Sequence, residues 1–244
     1  MPAVVELHSA DLPTWTAAVA WTTLGLGLAC ALLIVVDVLR RPQRMAVMAV
    51  VWPLTALFGS LLWTAAYLRW GRGARRGHDQ HRREPPMAVA VVIGTSHCGA
   101  GCALGDLVAE WLIVALPAVA VAGGYRWIFA DRLYAGWVLD FALAFGIGIA
   151  FQYFAIAPMR HLSRREGLRA AVTADALSIT AWQVGMYGTM ALAQLAVVPA
   201  LAGGRLAVAS PQFWAVMQVA MVVGFVTAYP VNWWLIRAGV KERM

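Results

Sequence analysis

The chain has 244 residues, of which 61% are hydrophobic and only 13% charged. A soluble domain carries about a quarter charged residues to keep its surface in water, so this composition excludes a soluble globular protein and points to a bilayer. The 19 basic and 12 acidic residues leave a net charge of +7. The arginines sit in short clusters between apolar runs, the pattern of membrane loops rather than of a nucleic-acid surface.

Six stretches reach the ~20 apolar residues that a crossing helix needs. They run from Trp15 to Val38, Met45 to Leu68, Met87 to Ala122, Leu133 to Met159, Ala170 to Leu201 and Gln212 to Ile236. The expected fold is therefore all-α: a polytopic transmembrane bundle of about six spans, one membrane domain over residues 1–244, with an arginine-rich cytoplasmic loop at 69–86. The first residues lack a basic stretch and carry Glu6 and Asp11, which argues against a cleaved signal peptide.

Orientation follows the basic residues, which favour the cytoplasmic side. Arg69, Arg72, Arg75, Arg76, Arg82 and Arg83 follow the second span. Arg160, Arg164, Arg165 and Arg169 follow the fourth, and Arg237, Lys241 and Arg243 form the tail. In a six-span arrangement all three groups share one side, and both termini lie there. Arg40, Arg41 and Arg44 dissent. Pro53 and Gly59 would permit a break or re-entrant hairpin in the second span that restores the rule, but the arrangement expected is six ordinary spans in a bacterial inner membrane.

The third stretch is too long. Its 36 residues would make a helix of about 54 Å against a ~30 Å hydrocarbon core, so it must tilt strongly, break or start below the membrane; the place for a break is Gly94 to Gly105, where Gly99 and Gly101 also fall. The same segment carries His97, Cys98, Cys102, Asp106 and Glu110. In a helix Cys98, Cys102, Asp106 and Glu110 step by four onto one face, while His97 points about 100° away. Asp140 and Asp175 add carboxyls in the fourth and fifth spans, and no arginine or lysine lies well inside a span. Intramembrane acids are costly and usually mark a site or a pathway, so Asp106, Glu110, Asp140 and Asp175 point to cation binding or a proton relay.

Sulfur narrows the cation. Thiolate and thioether ligands favour Cu(I), and imidazole also suits zinc. Met186 and Met190 lie four apart in the fifth span, as Met217 and Met221 do in the sixth. The candidate metal ligands are thus His97, Cys98, Cys102, Asp106, Glu110, Met186, Met190, Met217 and Met221, with copper as the expected ion and zinc as the alternative. Methionine is also a common apolar filler. Cys30 reads as a small core residue, His78 and His81 as solvated loop residues, and His161 as a headgroup neighbour. Gln152, Gln183, Gln194 and Gln218 read as hydrogen-bonding bridges between helices.

Three strings, Ser96-His-Cys-Gly-Ala-Gly-Cys102 with Leu104-Gly-Asp106, Gly185-Met-Tyr-Gly-Thr-Met190, and Ala228-Tyr-Pro-Val-Asn-Trp-Trp234, resemble a bacterial multi-pass membrane family of unknown function. The resemblance covers roughly the last 160 residues and extends to Trp52-Pro-Leu-Thr-Ala56. It implies membrane placement and a loose link with copper handling, and it brings no set of functional residues.

The expected function is soft-metal binding, Cu(I) first, for transport or delivery. No P-loop is present, so transport would be passive, gradient-coupled or driven by a partner. One alternative is a membrane thiol or metal-dependent oxidoreductase using Cys98 and Cys102. Another is a non-catalytic subunit or assembly factor. The expected partners are lipid, a metal ion, and a second copy or another membrane protein; nucleic acid is not expected.

Overall fold

A computed structural model of the protein describes residues 5–43, 45–73, 85–160 and 162–243. Its long helices are α1 (Thr14–Arg40), α2 (Met48–Ala66), α3 (Met87–Ala115), α4 (Arg132–Arg160), α5 (Arg164–Ala191) and α7 (Pro211–Arg237). A π turn over Tyr67–Gly71 extends α2, and α5 continues through a π segment, Leu192–Val197, into the short α6, Val198–Ala202. Six of these units are long and apolar enough to cross a membrane. Apart from the second and third, each buries a narrow stripe and leaves the rest largely apolar and exposed. In α1, Gly27, Cys30, Ala31, Ile34 and Val38 face inward, while Leu28, Leu32, Leu33 and Leu39 face out. In water that outer surface would aggregate; against lipid it is the expected one.

The second unit does not run straight. Ser60 has φ 44° and ψ −122°, far from helical values, and the chain doubles back there. The Trp52 and Tyr67 rings lie 5.6 Å apart, whereas fifteen residues of straight helix span about 22 Å. Gly71 sits on the Trp52 indole, and Gly73 on the carbonyls of Arg41 and Pro42. The two limbs, 48–59 and 61–71, are each about 18 Å or less, half a bilayer core.

Non-helical backbone at that depth survives only when protein satisfies its polar groups. Here Gln218 of α7 donates to the Leu57 carbonyl at 2.6 Å, and Thr64 Oγ1 donates to the Ser60 carbonyl at 2.9 Å. Gly27 of α1 clears room for that carbonyl, since a Cβ there would strike it.

The hairpin settles the dissenting arginines. Arg72 forms a bidentate pair with Asp37, its Nη2 2.6 Å from Oδ1 and its Nε 2.9 Å from Oδ2, and Tyr67 donates to Asp37 at 2.8 Å. The ends of α1 and α2 therefore share one side with Arg40 and Arg41; Arg44, and Arg75 through Arg83, lie outside the described residues. The two ends of the described chain lie at opposite ends of α7. A short parallel pair, β1 (Glu6–Leu7) with β2 (Arg205–Leu206), holds the N-terminal segment at the start of α7. Lys241 lies at the other end of that helix. Cysteines placed singly at Gln43→Cys and Gly73→Cys in a cysteine-free background are expected to react with an impermeant maleimide from the same face of a vesicle, and Ser9→Cys from the opposite face. Reaction of the first two from opposite faces would rule out the hairpin.

The third helix is unbroken from Met87 to Ala115 and is the most enclosed of the set. Its glycines serve close approach instead of bending, which corrects the reading of a break there. Gly99 lies under the Trp182 indole, Gly101 lies on Gly148 and Gly105 on Ala144. A Cβ at Gly101 would come within 2.6 Å of the Gly148 Cα, so α3 and α4 touch backbone to backbone, as small residues allow in lipid. Beyond Ala115 the chain leaves the helix axis through a 3-10 turn at Pro117–Val121. That change of direction shortens the straight helix to 29 residues, about 44 Å, and tilt or projection past the ~30 Å core takes up the rest.

Candidate functional site

The antiparallel α3–α4 contact fixes what faces what. Gly101 opposes Gly148 and Gly105 opposes Ala144. One turn further in each direction the same register sets Ala109 against Asp140 and His97 against Gln152. Asp140 therefore projects between Asp106 and Glu110, within electrostatic reach of both. All three carboxyls are buried. Gln183 of α5 donates to Asp106 Oδ1 at 3.3 Å, and Arg132 at the start of α4 comes near Glu110 while donating to the Ile113 carbonyl at 2.6 Å.

The same face of α3, nearer its start, carries sulfur. Cys98 and Cys102 are fully buried and close enough to share a hydrogen bond. They join one continuous core with Met186 and Met190 of α5 and with Met217 and Met221 of α7. Met217 and Met221 also border an apolar cleft of about 570 Å³ between α1, α2, α3 and α7. The tip of the α2 hairpin closes on this core through Phe58 and Trp63, and the Trp63 indole donates to Ser96 at 3.0 Å.

His97 does not join the sulfur pair. Its ring meets Phe151 of α4 at 6.3 Å between centroids, and neither ring nitrogen has a hydrogen-bond partner among the described residues. The same holds for both amide atoms of Gln152, for Asp106 Oδ2, Asp140 Oδ1 and Gln183 Oε1. Buried polar atoms of this kind are places for water, a proton or a cation. Among the described residues no three His, Cys, Asp or Glu side chains converge as a metal would require. A four-ligand zinc set is therefore not assembled. What the fold does gather, a thiol pair with thioethers in the same core, suits a soft ion.

No arginine or lysine is expected well inside a span; Lys241 reaches the interior from beyond the last one. After α7 the chain turns at Gly239, whose φ of 70° is the left-handed value glycine adopts freely. The Val240 and Lys241 amides both bond to the Leu235 carbonyl, at 3.0 and 3.2 Å. That turn sends the lysine back into the bundle, where both its side chain and that of Asp175 are 0% exposed. Its Nζ lies 2.6 Å from Asp175 Oδ1, 2.7 Å from Asn232 Oδ1 and 3.3 Å from the Gly94 carbonyl. Asn232 is held in turn by donating to Ser178 Oγ at 2.6 Å. Asp175 thus has a resident cation, whereas Asp106, Asp140 and Glu110 face one another.

Together these features define a polytopic helical membrane protein with a polar, sulfur-bearing core centred on one enclosed helix. The chain belongs to the family described as Domain of unknown function (DUF4396), whose match spans residues 89–241. It thus runs from the first turn of α3 to Lys241 itself. No curated protein and no solved structure matches the chain.

Sequence reasoning named the stripe on α3 but missed Lys241, Asn232 and Ser178. The available signal was arithmetic: a chain with a single lysine, and an intramembrane Asp175 lacking any basic partner within the spans. His78, His81 and His161 lie outside the described residues.

Proposed function

We propose that the chain is a bacterial inner-membrane protein that binds a soft transition-metal ion, Cu(I) before others, at Cys98 and Cys102 and passes it through the bundle for transport or delivery. The observation that carries this reading is the gathering of two adjacent thiols and four thioethers in one buried core. Thiolates and thioethers select Cu(I) over the harder ions. The acids Asp106 and Glu110 lie one and two turns past Cys102 on the same helix, and Asp140 faces them from α4. They supply negative charge that draws a cation toward the sulfurs or holds the proton exchanged for it. The unpartnered polar atoms and the re-entrant hairpin suit a path rather than a sealed core.

By the positive-inside rule, the face bearing Arg40, Arg41, Arg72, Arg164 and Lys241 is cytoplasmic, and Glu6 and Arg205 lie outside. The acids are then nearer the outer face and the lysine nearer the inner one.

The test is metal content. Protein purified in detergent, loaded anaerobically with Cu(I) and desalted is expected to retain about one ion per chain, while Cys98→Ser/Cys102→Ser retains only background. Equal retention by both proteins would remove the ligand assignment. Oxidant-induced trapping of Cys98 with Cys102 together with absent metal would favour the oxidoreductase alternative.

A further inference from the structure

The tripod around Lys241 is a binding site in its own right. A lysine ammonium has three N–H donors, and here three oxygens meet it: Asp175 Oδ1 at 2.6 Å, Asn232 Oδ1 at 2.7 Å and the Gly94 carbonyl at 3.3 Å. Each oxygen comes from a different helix, and those of Asn232 and Gly94 are fixed independently of the tail. Asn232 is anchored on Ser178 and on the Ala228 carbonyl. Gly94 is part of the unbroken α3, and Asp175 sits mid-helix in α5 with Oδ2 still unpartnered among the described residues. The lysine differs in its place: it lies beyond the last helix and reaches the site through the turn at Gly239.

Fixed acceptors around a tethered donor make a receptor with its own ligand attached. The geometry points to an ammonium-binding site between α3, α5 and α7 that takes a free primary ammonium ion when the tail lysine is absent or withdrawn. An ammonium group satisfies the tripod because its three N–H bonds match three acceptors, one of them a carboxylate that needs a counter-charge in a place water does not reach. Under this assignment the tail is a competitor for the site and a plug at the basic end of the polar core. The assignment stands apart from whatever binds at the cysteines.

The experiment removes the tethered ligand and offers a free one. Lys241→Ala in lipid nanodiscs is titrated with methylammonium chloride while its melting temperature is followed. The expected result is a saturable rise, with no such rise in the wild type, whose site is filled, and none in Lys241→Ala/Asp175→Asn, which lacks the carboxylate. Sodium chloride at equal concentration serves as the screen for ionic strength and should produce less than a tenth of the shift. A flat response of Lys241→Ala, or an equal response to sodium chloride or in the double variant, would overturn the site. If Lys241→Ala fails to accumulate, Lys241→Met keeps the apolar stem and is titrated in its place, with the same outcomes decisive. The Cys98→Ser/Cys102→Ser background titrates like its parent, so loss of metal binding and loss of ammonium binding read separately.

Discussion

Lys241→Ala is expected to destabilise the protein more than Asp175→Asn does, although the two residues share one ion pair. Both side chains are 0% exposed and their charged atoms are 2.6 Å apart. Removing one partner of a buried pair leaves the other uncompensated, at a cost of about 3–5 kcal/mol. The cost falls in full only where the survivor has no escape. Asp175 lies in the middle of α5, enclosed by α3 and α7, and cannot reach water without unpacking the bundle. Lys241 lies four residues past the end of α7, so returning its ammonium to solvent requires moving only the chain after that helix rather than unpacking the bundle.

Lys241→Ala should therefore approach the full penalty. Asp175→Asn should cost about 1–2 kcal/mol, the worth of the lost charge-assisted hydrogen bond. The double variant should recover most of the loss, because an amide and a methyl leave no buried charge. Reversible unfolding in mixed micelles, run as a double-mutant cycle, measures all three. Equal costs for the two single variants would mean that the tail is as rigid as the helices.

The asymmetry bears on how the core is used. A fixed cation at the basic end and three mutually facing acids at the other end give the enclosed helix opposite charge at its two ends. A cation drawn in by Asp106, Asp140 and Glu110 meets the sulfur pair before it meets Lys241.

Much of this was legible in the sequence, and the failures have definite causes. Steps of four residues sufficed to put Cys98, Cys102, Asp106 and Glu110 on one face, because helical periodicity needs no knowledge of neighbours. The second unit was half legible. Gly59 beside the break, Pro53 before it and the misplaced Arg40 and Arg41 all pointed to a hairpin. What the chain alone does not display is Gln218, 161 residues on, satisfying the Leu57 carbonyl and making the break tolerable.

Gly99, Gly101 and Gly105 looked like helix breakers because glycine serves two purposes. Only the presence of Trp182, Gly148 and Ala144 against them reveals that close packing is the one in use. His97 looked like a third ligand because it adjoins Cys98. One residue of rotation turns it toward Phe151 and away from the sulfurs. Lys241 was the least legible of all, since a lysine between Arg237 and Arg243 reads as one more solvated charge until the turn at Gly239 is seen.

The second large effect concerns passage itself. If the sulfur core is the point through which a soft ion must move, replacing its thiols stops movement and not merely binding, because hydroxyl oxygens of serine do not hold a soft ion at neutral charge. The methionine pairs cannot substitute. Thioethers are neutral and leave the charge of the ion unmet in a buried place. Loss of the thiols is therefore expected to lower flux by at least about 100-fold, equivalent to about 2.7 kcal/mol on the limiting step.

Flux of Cu(I) into proteoliposomes containing the purified protein, followed by a trapped copper-selective dye, tests this most directly. Wild type should give saturable uptake and Cys98→Ser/Cys102→Ser no more than empty liposomes. Equal uptake by the two proteins, or none by a wild type that binds the ion, would contradict passage through the sulfur core.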